Sequence, residues 1–194
     1  NNVLEGHKLS SLEESEYQFW QSHFYEVGYT WKSSFSKKFM PLHFKYGVSF
    51  LWNNLRPKNN QQHIMNGNMI SLATRIDEEL SESRLRHVQM NFPIHLEWDF
   101  SKRKKSDKKA VRIGVGSFIG FKLGTRQFLE YINLEGVDVE EVQYGNFNMN
   151  TVNYGVSAYA GYQSTSLYVK YDVNPLFKNT KTRNISIGVR LDLN

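Results

Sequence analysis

The residues best placed to do chemistry are His95, Glu97 and Asp99, one imidazole and two carboxylates at alternate positions. On a strand, side chains two apart share a face and stand about 7 Å apart, too far for one strand to close a metal site. A metal centre would need His43, His87 or a loop ligand from another element. Asp138, Glu140 and Glu141 lack the order of a calcium loop and read as a solvated loop. Asn184-Ile185-Ser186 has the form of a glycosylation sequon but falls within a strand pattern. With no cysteine in 194 residues, disulfide frameworks, thiolate zinc sites and cysteine nucleophiles are all excluded. Glycine-rich phosphate loops, nucleophile elbows and paired-histidine zinc helices are absent from the sequence. No cofactor, no metal site and no catalytic residue is expected.

The elements that position these residues are written in a period of two. Alternate apolar residues run Leu42 to Trp52, Val88 to Phe100 and Val111 to Leu123. Shorter runs cover Tyr25 to Trp31, Val152 to Tyr162, Leu167 to Val173 and Ile185 to Leu193. Each is one face of a strand. These seven faces hold 39 positions and no charged residue, in a chain that is 22% charged. Asn68–Ile76 and Arg126–Leu134 read as two weaker strands, which makes nine. Residues 1–21 read as loop or short helix, and 22–194 as one β domain.

Three features decide what the apolar faces meet. The strands run to a dozen residues or more, against about 5–6 in soluble sheets. Large aromatics stand near strand ends, with Tyr25, Trp31, Trp52, Trp98, Phe100 and Tyr162 expected at a lipid interface. The opposite faces mix glycine with charge, as a narrow lumen requires. No apolar run approaches the roughly 18 residues of a spanning helix, which leaves a β-barrel open. The pattern predicts an all-β, antiparallel up-and-down transmembrane barrel of 8–10 strands. About nine lie in this chain, and ten are favoured for the complete protein. A soluble ligand-binding barrel is the alternative architecture.

In that barrel the inward acids are Glu26, Glu97, Asp99, Asp172 and Asp192, and the inward bases Lys32, Lys45, Arg112, Lys122, Lys170 and Arg190. Near-balance and a narrow lumen predict a paired charge network that includes His95. The net charge of +5 has a single source. Lys102, Arg103, Lys104, Lys105, Lys108 and Lys109 stand against Asp107, and the rest of the chain holds 18 bases and 18 acids. One loop therefore carries the surplus, which excludes a nucleic-acid face and suggests an anionic lipid or acidic partner. Tight connections are expected at Gly124-Thr125 and Gln163-Ser164-Thr165. Counting strands from them places the basic loop outside, with Asn53–Gly67, Glu135–Met149 and Lys178–Thr182, facing lipopolysaccharide or a partner.

Several strings resemble a known group. They include Tyr46-Gly47-Val48-Ser49-Phe50, Asn53-Asn54-Leu55-Arg56-Pro57, Pro93-Ile94-His95-Leu96-Glu97 and Tyr154-Gly155-Val156-Ser157-Ala158-Tyr159. The longest runs from Ser166 through Tyr168-Val169-Lys170-Tyr171-Asp172 to Phe177, followed by Ile185 to Leu193. Across nearly its whole length the chain resembles the outer-membrane β-barrel proteins of Bacteroidota, PorT-like in the broad sense, and in particular an uncharacterised flavobacterial group. The resemblance implies an integral outer-membrane protein without established catalytic residues, preceded in its relatives by a signal peptide and a further strand. The expected role is a non-enzymatic structural or accessory subunit among other outer-membrane proteins, with a narrow pore or small-solute binder as the alternative.

Overall fold

The computed structural model describes residues 2–5, 17–18, 21–34, 42–58, 60–67, 69–75, 79–100 and 111–192. The described residues contain strands and turns and no helix. The strands are β1 (Asn2–Glu5), β2 (His23–Ser34), β3 (Leu42–Leu55), β4 (Gln61–Asn66), β5 (Met69–Thr74), β6 (Leu80–Asp99), β7 (Val111–Ile132), β8 (Asp138–Tyr144), β9 (Val152–Tyr162), β10 (Thr165–Asp172) and β11 (Arg183–Leu191). The main sheet is antiparallel throughout and runs β1-β11-β10-β9-β7-β6-β3-β2, with β8 on the upper part of β7.

The sheet is strongly curled. Lys45 of β3 reaches Asp192, just past β11, at 3.3 Å, although four strands separate β3 from β11 in the sheet. In a flat sheet that step would be about 24 Å. The inward ring of Phe24 on β2 likewise fills the space beside Gly188 on β11. The two ends of the path, β1 and β2, share no ladder among the described residues, so the sheet is a half-barrel.

The main sheet has the nine strands the periodicity predicts, but their membership differs. Asn68–Ile76 supplies β5, which pairs with β4 in a separate two-stranded sheet. Arg126–Leu134 is not a new strand but the continuation of β7. Residue Gly124 is therefore no turn: the ladder steps from Gln89↔Lys122 to Val88↔Gly124, leaving Leu123 as the extra residue of a bulge. A bulge shifts the alternation by one, which in sequence looks like the end of one strand and the start of another. Instead of the two weak segments, β1 and β8 complete the sheet. β8 forms within the expected external loop, and β1 within the expected N-terminal loop or helix.

This correction changes the side expected for the basic segment and leaves the other connections where alternation put them. One end of the half-barrel carries the two-residue turn at Gln163-Ser164, where Gln163 takes the left-handed φ of +57° that tight hairpins use, and the end of β11. Asp99 and Val111, which flank the basic segment, lie at that same end, paired to Arg112 and Tyr162. Asn53–Gly67, Glu135–Met149 and Lys178–Thr182 belong to the opposite end. The strand ends that flank the basic segment are thus not on the side of the long connections; the segment itself lies outside the described residues.

At the long-connection end a compact apolar cap closes the curl. Leu55, Ile70, Leu85, Met149, Leu176 and Phe177 are almost wholly buried there, with Tyr17 and Phe147 against them. Ile70 comes from the β4–β5 hairpin, which sits over this end.

Candidate functional site

Elsewhere the burial is inverted. Along β6 every second residue from Leu85 to Glu97 is buried, and below the cap these are Gln89, Asn91, Pro93, His95 and Glu97. The exposed partners in the alternation are Phe92, Ile94, Leu96 and Trp98. The same holds for β7, β9 and β10: Arg112, Ser157, Ser166 and Lys170 are buried, while Val115, Ile119, Tyr154, Val156 and Leu167 are exposed. The interior is polar and the exterior apolar.

The interior charges fall into two groups. Towards the Gln163-Ser164 end, Glu97 is fully buried, with Lys32 on one carboxylate oxygen and Lys45 on the other, both at 2.9 Å. The Tyr159 hydroxyl donates to the same carboxylate at 2.6 Å. Lys32 also holds Asp99 at 2.7 Å. Lys45 continues to Asp192, which takes Arg112 at 3.1 Å and Arg190 at 2.9 Å. Four bases and three acids are thereby linked through shared oxygens. Burying such charges is tolerable only with this degree of pairing.

Nearer the middle, Glu26 accepts from the hydroxyl of Ser49 and the amide of Asn91, with Lys170 at 3.8 Å. Lys170 lies 4.0 Å above the Phe118 ring, and Asp172 is buried beside Lys170 and the Asn184 amide. Lys122 stands apart from both groups. Its ammonium donates to Asn146 and to the Met149 carbonyl, tying the cap to β7.

Interior glycines make room for the large members of this assembly. A Cβ at Gly114 would stand 2.2 Å from the Tyr159 ring, and one at Gly155 would stand 2.8 Å from Phe118. The lumen is filled by rings lying over glycines. Tyr159 is not among the residues that charge alone picks out for the lumen, although alternation marks its face. Its odd number puts it with Asn153, Gly155 and Ser157 on the inward side of β9.

His95, Glu97 and Asp99 do share the inward face of β6, yet each has its own partner. His95 Nε2 meets the Ser157 hydroxyl at 2.8 Å, both groups being buried, and its ring packs edge-on against Tyr159. Serine beside histidine is the opening of a nucleophile pair, but Glu97 is already engaged by Lys32, Lys45 and Tyr159. Among the described residues no three His, Asp or Glu side chains converge as metal ligands would. His43 bonds to Ser34 instead. The chain matches no protein-family model, no curated protein and no solved structure.

The aromatics form two rims. Tyr25 pairs directly with Trp52 near the cap, and Trp31, Trp98, Phe100 and Tyr162 stand at the other end, all exposed. From Tyr25 to Trp31 is about 20 Å of strand. The remaining predicted sites, Lys102, Arg103, Lys104, Lys105, Lys108 and Lys109, lie outside the described residues. Of the weaker motifs, Asp138, Glu140 and Glu141 are on β8 rather than in a loop, and Asn184 and Ser186 are buried and bonded to each other.

Proposed function

We propose that this chain is an integral β-barrel protein of a bacterial outer membrane. Its lumen is filled by paired side chains, and it serves as a non-enzymatic structural or accessory subunit of an envelope assembly. The inverted burial carries this reading: Glu97, Lys45, Lys170 and His95 are inside while Phe92, Ile94, Leu96 and Trp98 are outside. A soluble sheet would pack its apolar face on a core, and an exposed apolar surface of this extent needs lipid or protein against it. The aromatic rims and the resemblance to Bacteroidota outer-membrane barrels support the same conclusion. Short turns face the periplasm in such barrels, so the Gln163-Ser164 end is periplasmic. The basic segment then meets inner-leaflet lipid or an acidic periplasmic partner rather than lipopolysaccharide.

Heat-modifiable migration of the protein extracted from outer membranes tests the barrel. Release into the soluble periplasm without detergent would select a soluble binder instead. Planar-bilayer recordings are expected to show no steady conductance, because the ion network and the cap close the interior; a stable conductance would select the pore. A lone barrel at every stage of purification in mild detergent would argue against the assembly.

A further inference from the structure

Beyond the apolar belt, the hairpin of β6 and β7 continues toward the long-connection end, and its outward face changes character in one step. Val88 and Trp52 form the last apolar row, paired across β3 and β6. The next outward row, about 7 Å further along the strand, places Arg86 directly opposite Arg126. Arg84, opposite Phe128, follows in the row after. All three guanidinium groups lie over one ring, 4.8, 5.3 and 5.0 Å from the Phe128 centroid for Arg84, Arg86 and Arg126. Like charges directly opposite on neighbouring strands destabilise a sheet, and Arg86 carries the repulsion of both neighbours. The nearby acid, Glu82, is shared between Arg56 at 2.6 Å and Arg84 at 3.3 Å. Among the described residues Arg86 hydrogen-bonds only to the neutral Asn54 amide oxygen and is offset by Glu82 only in part, and Arg126 has no ion pair. The acids Glu82, Glu130 and Glu140 share the row beyond, farther from the belt.

Three guanidiniums crowded on a ring, short of counter-charge and bordering the apolar belt, match a phosphate group held at headgroup depth. Arginine suits it because its planar fork binds phosphate through two hydrogen bonds at once. We propose that Arg84, Arg86 and Arg126 form a binding site for the phosphate of a lipid headgroup in the leaflet at the long-connection end. The site rests on the membrane reading above and lies at the opposite end from the strand ends that flank the basic segment.

The test uses the full chain, purified in mild detergent and transferred to nanodiscs of phosphatidylcholine mixed with diphosphoryl lipid A. Native mass spectrometry then counts the lipid retained. Wild type is expected to keep diphosphoryl lipid A over its dephosphorylated form. R86Q/R126Q is expected to lose that preference by on the order of tenfold or more, and R86K/R126K to lose it in part. Both variants are surface changes, and heat-modifiable migration reports that they are folded. Excess inorganic phosphate should not displace the lipid; complete displacement would mark a free-phosphate site and overturn the proposal. Wild type that inserts without preference for the phosphorylated form also overturns it, while leaving the barrel reading in place. Failure of wild type to insert would overturn both.

Discussion

Glu97 is the most heavily committed side chain in the interior, since its carboxylate receives Lys32, Lys45 and Tyr159 at once. Removing its charge leaves Lys32 only Asp99 and Lys45 only Asp192 as carboxylate partners, and takes away the acceptor of the Tyr159 hydroxyl. E97Q should therefore cost about 1–3 kcal/mol, since each ammonium keeps one ion pair and Lys32 is partly open to solvent. Denaturant unfolding in detergent micelles measures it. Loss below about 1 kcal/mol would mean that the lumen is hydrated enough to screen these charges. The inward set of residues was legible in the sequence because alternation assigns faces without knowing the fold. Who pairs with whom was not. Lys45 meets Asp192 through curvature, which a one-dimensional pattern does not contain, and Lys122 left the network for the cap carbonyl of Met149. Ser157 and Tyr159 share the inward face of β9 but carry no charge, so a count of inward acids and bases does not contain them.

Among the elements, β7 shows what alternation reveals and where it misleads. Its 22 residues form one strand, but Leu123 is an extra residue, so inward positions are even-numbered before it and odd-numbered after it. The shift made a continuous strand look like two, and from that one misreading followed the reversed sidedness of the basic segment. Deleting Leu123 should remove the bulge and leave both faces of β7 in place. Deleting Val115 should turn one part of the strand inside out, putting either Arg112 or Lys122 on the apolar face near a rim, at on the order of 1 kcal/mol or less for the charge, and breaking the inward pairing of that part as well. The fraction of each variant reaching a heat-modifiable form distinguishes them, and equal yields would refute the bulge as an insertion. The β4–β5 hairpin over the long-connection end carries a different device. His63 is buried, bonded to Tyr17 and Gln127, and burial holds its imidazole down at about 4 against an ordinary 6.5. The opened hairpin therefore takes up a proton before the closed one does. Closure is most stable above about pH 6.5 and loses roughly 2–4 kcal/mol as the pH falls to 4. Protection of the Gln61–Thr74 amides, taken relative to their intrinsic exchange rate at each pH, should fall across that window in wild type and not in H63Q; identical protection profiles would remove His63 as the cause.

At the scale of the whole molecule, the net charge and the inverted burial resolve into one arrangement. The paired interior is nearly balanced, the strand ends at Asp99 and Val111 that flank the 101–109 segment lie beside the Gln163-Ser164 turn, and the arginines around Phe128 border the belt at the other end. The arginine cluster and the strand ends that flank the basic segment thus lie at opposite ends of the sheet, an asymmetry invisible to composition. Orientation can be read directly because the chain has no cysteine to confuse the labelling. Gly136, exposed in the turn between β7 and β8, and Ser164, exposed in the β9–β10 turn, mark the two ends. Gly136 has a φ of +77° and the Asn133 side chain accepts from the Glu135 and Val137 amides, so exposed Leu134 is the less disruptive position for a cysteine. With L134C and S164C expressed singly in intact cells, a membrane-impermeant maleimide should label L134C and spare S164C until the outer membrane is permeabilised. The reverse pattern would place the basic segment at the cell surface and restore lipopolysaccharide as its partner. Labelling of both in intact cells would mean that the chain does not separate two compartments, and the apolar belt would then have to be covered by protein rather than lipid.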